Sequence, residues 1–272
     1  MSAASRVRAA ILGSPIEHSL SPTLHRAAYR ALGLANWTYD ALLCDEAGLE
    51  PLLRRLRAEG DWAGLSLTMP LKTAAVGRCD EVRTNLGAIN TIVFDGGRLV
   101  GHNTDVDGVA AALAALAGSG VSLLRVALLG AGGTARAAVE ALARAGTTEL
   151  TVYVRDVGRA AGVLGLARER GLAAEVAPLT EMSGSAGTPV VSTLPGPAGV
   201  GIEVRGPLVD VVYDPWPTAL ARSASAHGQP VVGGLDVLVG QAVRQVELMT
   251  GRPAPVDAMR RAGESELARR RT

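Results

Sequence analysis

A chain of 272 residues, 48% hydrophobic and 19% charged, has room for one large domain or two ordinary ones and is too apolar to be disordered. Its formal net charge of +1, with arginines scattered throughout, excludes the strongly basic surface expected of a nucleic-acid or anionic-membrane binder. Cys44 and Cys79 form neither a disulfide framework nor a CxxC pair, and no signal-peptide or membrane-span stretch follows Met1–Arg8, so the expected compartment is the cytoplasm.

In chain order, strand and helix patterns alternate almost throughout. Val7–Leu12 reads as a buried strand, and Ser21-Pro22 as a helix cap followed by proline at the first helical position, the helix running to about Leu32. Trp37–Leu43 reads as strand, Ala47–Ala58 as helix and Gly64–Leu67 as strand, and another helix begins near Pro70-Leu71. Ile92–Phe94 and Arg98–Val100 flank Asp95-Gly96-Gly97, a hairpin signal. A helix over about Val106–Ala117 leads to the apolar run Arg125–Leu129, then a helix over Thr134–Ala145 with Gly146 as its stop. Leu150–Val154 is a strand and Gly158–Glu169 a helix; Val190-Val191, Leu208–Tyr213 and Val231-Val232 supply short strands. Leu235–Thr250 and Val256–Arg270 close the chain as helices, with Arg269–Arg271 expected as a frayed, solvated tail. Aromatic residues are only 3%, so the core must be built from Val, Leu, Ile and Ala, which suits a parallel sheet buried on both faces.

Two sets of residues carry chemistry. Gly130, Gly132 and Ala135 make G-x-G-x-x-A after a strand and at a helix start, with the next strand in place. Such a turn lets the backbone of Gly130, Ala131, Gly132, Gly133 and Thr134 approach a pyrophosphate on unpaired N–H groups, while the small Ala135 allows helix and strand to pack closely. At the end of the next strand Arg155 favours a 2′-phosphate and Asp156 a free ribose hydroxyl. Asp156 stands where it can serve the following helix end, and Arg159 adds a second cation, so NADP is the expected cofactor.

The second set is polar. Of 27 Lys plus Arg, Lys72 is the single lysine, and of these two residue types only lysine can give up a proton in a neutral-pH reaction. It lies in Ser66–Lys72; the other clusters are Ser19–Pro22, Gly87–Thr91 and Asn103–Asp105. Each falls where a strand ends or a helix begins, the edge at which open α/β sheets bind ligands. Singly, Ser21 or Asp105 could be a helix cap and Asn90 or Asn103 a turn residue. His18, His25, His102 and His227 show no metal-binding spacing, and no metal is expected.

This ordered set resembles the shikimate dehydrogenases. Gly13–Pro22 is similar to their N-terminal substrate motif, Thr68–Lys72 to their lysine motif, and Gly87–Thr91 and Asn103–Asp105 to the next two. Gly130–Ala135 matches their nucleotide loop, and Tyr213–Pro215 and Gly234–Gln241 their late motifs. The resemblance implies that Ser19 and Ser21, with Tyr213, hold the substrate carboxylate, and that Thr68, Asn90 and Gln241 bind ring hydroxyls. It also implies that Lys72 and Asp105 contact the reacting hydroxyl and that Gly234 lies at the cofactor. The chain departs from the family at Ser66, often Asn, at Val237, commonly Met, and at Val154 and Asp156, where Asn and Thr are frequent.

The expected architecture is two-domain α/β with a cleft between the domains. Residues 1–105 plus 238–272 are expected to form the substrate domain, and residues 106–237 a Rossmann-type domain for NADP. The expected reaction is reversible reduction of 3-dehydroshikimate to shikimate by a monomer or homodimer. The rival readings are an NAD-preferring quinate/shikimate dehydrogenase and a non-catalytic ligand sensor, the latter disfavoured by the intact Lys72 and Asp105.

Overall fold

The computed structural model describes residues 5–184 and 187–271. They form two compact units: one runs to Thr104 and resumes at Gln241, and the other spans Asp105–Gly240.

Unit one opens with β1 (Val7–Gly13), α1 (Ser21–Ala31), β2 (Trp37–Leu43), α2 (Glu46–Glu59), β3 (Trp62–Leu67) and the single turn α3 (Leu71–Ala74). The short β4 (Glu81–Val82) precedes a hairpin of β5 (Thr91–Asp95) and β6 (Arg98–His102). The sheet order is β2-β1-β3-β5-β6-β4. β2, β1 and β3 are parallel, but β5 is antiparallel to both β3 and β6, so this sheet is mixed rather than parallel. One face is sealed by Leu49, Leu53 and Leu56 of α2 and Leu71 of α3, packed on Leu12, Leu65, Leu67 and Ile92. Such apolar burial is worth about 1.5–3 kcal/mol per large side chain.

The hairpin has a consequence for the site. Because β5 runs against β3, its first residues lie beside the last residues of β3: Thr91 pairs with Ser66, and Leu67 N–H donates to the Asn90 carbonyl at 2.7 Å. Thr91 also pairs with His102, the last residue of β6. The start of β5 and the ends of β1, β3 and β6 therefore meet at one sheet edge, which gathers all four polar clusters.

Unit two begins with α4 (Asp105–Gly118), followed by β7 (Arg125–Leu129), α5 (Gly133–Arg144), β8 (Glu149–Val154), α6 (Ala161–Glu169) and β9 (Ala173–Pro178). After these come β10 (Val190–Ser192), β11 (Leu208–Asp210), α7 (Ala219–Ala226) and β12 (Val231–Val232). All six strands are parallel, in the order β12-β11-β10-β7-β8-β9. Read from the other end this is the doubly wound order, with its switch point between β7 and β10. α5 turns Ala135, Ala137, Ala138 and Ala141 inward, side chains small enough to bring the helix close to the sheet. α8 (Gly234–Thr250) carries the chain back into unit one, where α9 (Val256–Arg271) packs along α1.

Three local expectations are corrected. Ser21 is the first residue of α1 rather than its cap; the Ser19 hydroxyl accepts the Ser21 N–H at 3.2 Å. The helix expected from Gly158 opens with a 3₁₀ turn over Val157–Ala160. The arginine end is not frayed: α9 is helical to Arg271, Glu266 accepts from Arg269 and Arg270, and Arg270 donates to the His18 carbonyl at 2.7 Å.

Candidate active site

In unit one the polar edge is built from backbone outward. Thr68 follows β3, and its N–H donates to the Leu12 carbonyl, so the ends of β1 and β3 are tied together. Ser19 and the buried Ser21 stand at the start of α1. Ser21 is held from behind by His25, whose Nδ1 lies 2.9 Å from its carbonyl. That carbonyl can only accept, so Nδ1 carries the proton. His25 is fully buried, and burial pushes its pKa down to about 4.

Lys72 is half-buried on α3, and its carbonyl accepts the Ile89 N–H at 2.9 Å, which joins the lysine turn to the Gly87–Thr91 segment. Asn90, next in the chain, is 1% exposed. Its Oδ1 accepts the Thr104 N–H at 2.7 Å, and its Nδ2 donates to Gln241 Oε1 at 3.1 Å and to Thr104 Oγ1 at 3.0 Å. Asn103 donates to the Ala88 carbonyl at 2.9 Å. Asn90, Gln241 and Thr104 thus form one hydrogen-bonded cluster, and the residue after Thr104 is the buried Asp105, first of α4.

In unit two Gly130–Thr134 lies at the switch point. Gly130 has φ of 103°, and a Cβ there would meet Thr193 Oγ1 at 2.6 Å, so only glycine fits between the β7 and β10 ends. Gly132 is exposed and faces open space, and it gives α5 no side-chain cap. The first-turn N–H groups of α5 are consequently left to an external acceptor, the arrangement that receives a phosphate at the positive end of a helix. The loop therefore fits a dinucleotide pyrophosphate. Arg155 and Arg159 are exposed after β8, and neither is paired with a carboxylate among the described residues. Asp156 Oδ1 accepts the Gly158 N–H at 3.0 Å and so caps the following 3₁₀ turn.

Tyr213 follows β11 in a loop fixed by Asp210, which is 1% exposed and accepts from the Thr218 hydroxyl at 2.6 Å and the Val212 N–H at 3.2 Å. Burial raises its pKa, and those bonds partly offset the rise. Gly234 N–H donates to the Val212 carbonyl, and a Cβ at Gly234 would strike the Val211 carbonyl oxygen at 2.3 Å. Tyr213 and Gly234 are therefore brought to one segment of unit two. Sequence reasoning passed over Tyr39, Gln245 and Asp210, and placed Ser66 in a polar cluster and as a departure from the family without giving it a role. The usable signal was polar residues inside otherwise apolar strand and helix faces.

A doubly wound sheet with a glycine turn at its switch point, together with a second α/β unit bearing a lysine and amides on one edge, defines a dinucleotide-dependent oxidoreductase of small polar molecules. A family model described as the shikimate dehydrogenase substrate binding domain matches residues 11–92, and one described as the shikimate 5'-dehydrogenase C-terminal domain matches residues 234–262. The shikimate dehydrogenase (NADP(+)) of Rubrobacter xylanophilus is 39% identical over 281 residues, covering 94% of this chain and 95% of its own. The crystal structure of Mycobacterium tuberculosis shikimate dehydrogenase superposes with a TM-score of 0.83 at 40% identity, covering 95% of this chain and 99% of that one. The Thermus thermophilus enzyme in complex with NADP(H) and shikimate gives 0.80 at 34% identity, again covering 95% and 99%. The chain belongs to the shikimate dehydrogenase family.

Proposed function

We propose that the chain reduces 3-dehydroshikimate reversibly to shikimate with NADPH, with Lys72 and Asp105 at the reacting oxygen. The observation that carries this reading is the cluster in which Lys72, through Ile89, Asn90, Thr104 and Gln241 are joined immediately before Asp105. Bound NADPH supplies the hydride. Lys72 gives its proton to the oxygen as the carbonyl becomes an alcohol, and takes it back in the oxidative direction. The Asp105 carboxylate accepts from the hydroxyl and orients the ammonium. Ser19 and Ser21, with Tyr213, bind the carboxylate, while Thr68, Asn90 and Gln241 hold the ring hydroxyls. Gly130–Ala135 and Gly234 receive the nucleotide, with Arg155 and Arg159 at the 2′-phosphate. The substrate unit is 1–105 with 238–272, and the nucleotide unit is 106–237. The reaction is placed in the cytoplasm.

The test is reduction of 3-dehydroshikimate by the purified protein with NADPH and NADH in parallel, followed by loss of reduced-nicotinamide absorbance. Turnover with a higher kcat/KM for NADPH is expected. A higher value with NADH would favour the quinate/shikimate reading, and no turnover with either would leave only the sensor.

A further inference from the structure

Beneath the polar edge of unit one, a row of buried groups runs in a single sense set by one backbone donor. The Thr104 N–H can only donate, and it fixes Asn90 Oδ1 as an acceptor. Asn90 Nδ2 is thereby turned toward Gln241 Oε1. On the acceptor side the Thr91 hydroxyl donates to Asn90 Oδ1 at 3.0 Å, so its oxygen is left to accept from Gln245 Nε2 at 3.2 Å. Gln245 Oε1 then accepts from the Ser66 hydroxyl at 2.9 Å, and Ser66 accepts from the Tyr39 phenol at 2.7 Å. Tyr39, Ser66, Asn90, Thr91 and Gln245 are each at most 3% exposed, so bulk water does not substitute for a lost partner. Tyr39 in turn stacks on His25 with ring centroids 3.9 Å apart, and His25 bonds the Ser21 carbonyl. The row thus runs from the serines at α1 to the amide on α8.

We propose that Tyr39, Ser66 and Gln245 are positioning residues for the substrate: through Thr91 and Asn90 they hold the Gln241 amide with its oxygen inward, so that it presents N–H groups to a ring oxygen. This rests on the reading of the site as shikimate-binding. A flipped Gln241 would set its NH₂ against that of Asn90, donor against donor. With its Oε1 taken up by Asn90, Gln241 offers the substrate N–H donors and selects an acceptor oxygen.

Gln245→Glu tests the sense of the row with almost no change of volume. It replaces the Nε2 donor by an oxygen, so Thr91 turns its proton toward the introduced carboxylate and Asn90 loses that donor. Shikimate affinity measured by calorimetry should fall about tenfold at about pH 9 and recover toward wild type at about pH 6, because a buried carboxyl protonates early and regains a donor. The titratable groups along the row stay neutral over that range, His25 being pushed down to about 4 and Tyr39 far up by burial. Dividing by the wild-type value at each pH removes titrations elsewhere in the site. A deficit equal at every pH, or none at any, overturns the proposal. Should that variant not fold, Tyr39→Phe decides, since it removes one hydroxyl and keeps the stack on His25. Its Kd and KM for shikimate should rise about threefold, with kcat and NADP affinity unchanged. Unchanged shikimate affinity, or an equal loss for NADP, overturns it. Wild-type protein that fails to bind shikimate would instead overturn the functional reading itself, and this proposal with it.

Discussion

A chain with one lysine has one ε-amino group, so an amine-acylating reagent has a single side-chain target in Lys72. Acylation should abolish reductase activity, and shikimate should slow it; full activity after stoichiometric labelling of Lys72 would remove it from the chemistry. Lys72→Ala should lower kcat by about 10²–10⁴-fold, the usual range for an acid/base group, and Lys72→Arg should fail similarly because a guanidinium stays protonated. His25 offers a separate residue-scale prediction. Its folded pKa of about 4 lies below the ordinary value of 6.5, so between these the unfolded chain binds a proton that the folded one does not. The stabilisation is full above 6.5 and is lost as pH falls toward 4. His25→Phe, which keeps a ring on Tyr39, should remove up to about 3 kcal/mol of this acid sensitivity, read as urea midpoints near neutrality and in acid.

At the scale of elements, the proposed function assigns anion binding to the turn that opens α1 in one unit and to the segment after β8 in the other. Replacing Ser19 and Ser21 together by Ala should raise KM for shikimate and leave NADP affinity nearly unchanged; an equal loss of both would place these hydroxyls elsewhere. Arg155→Ala should weaken NADP selectively and spare NAD, since only NADP carries the 2′-phosphate that the guanidinium would pair with. Direct titration of the two nucleotides checks this. β2 and β7 fall on the expected residues, β7 because a buried run of Val, Ala and Leu admits few other readings and β2 because its aromatic and Thr residues favour a strand. β9, α7 and β4 were not legible in the sequence. β9 (Ala-Ala-Glu-Val-Ala-Pro) is a half-exposed edge strand, α7 has eight residues with Leu220 as its one large apolar side chain, and β4 has only two residues. Within the candidate site, the tight turn at Gly130 was legible because its backbone conformation demands glycine. The hydrogen bonds between partners distant in sequence were not legible, as in the pairing of Ser66 with Gln245, 179 residues apart.

Over the whole molecule, the two halves of unit one are separated in the chain by all of Asp105–Gly240. During synthesis, unit two is complete in sequence before α9 exists to cover α1, and before Gln241 and Gln245 exist to meet Asn90 and Ser66. Contacts of such long sequence separation form late, because the loop must close before they stabilise anything. In refolding followed by pulsed hydrogen exchange, amides of β7 and β8 should therefore gain protection before those of α8 and α9. Simultaneous protection would show that the outer segments find each other without waiting. A discontinuous domain thus assembles its amide cluster last: a nascent or truncated chain can carry a finished nucleotide fold while its substrate edge is still unbuilt.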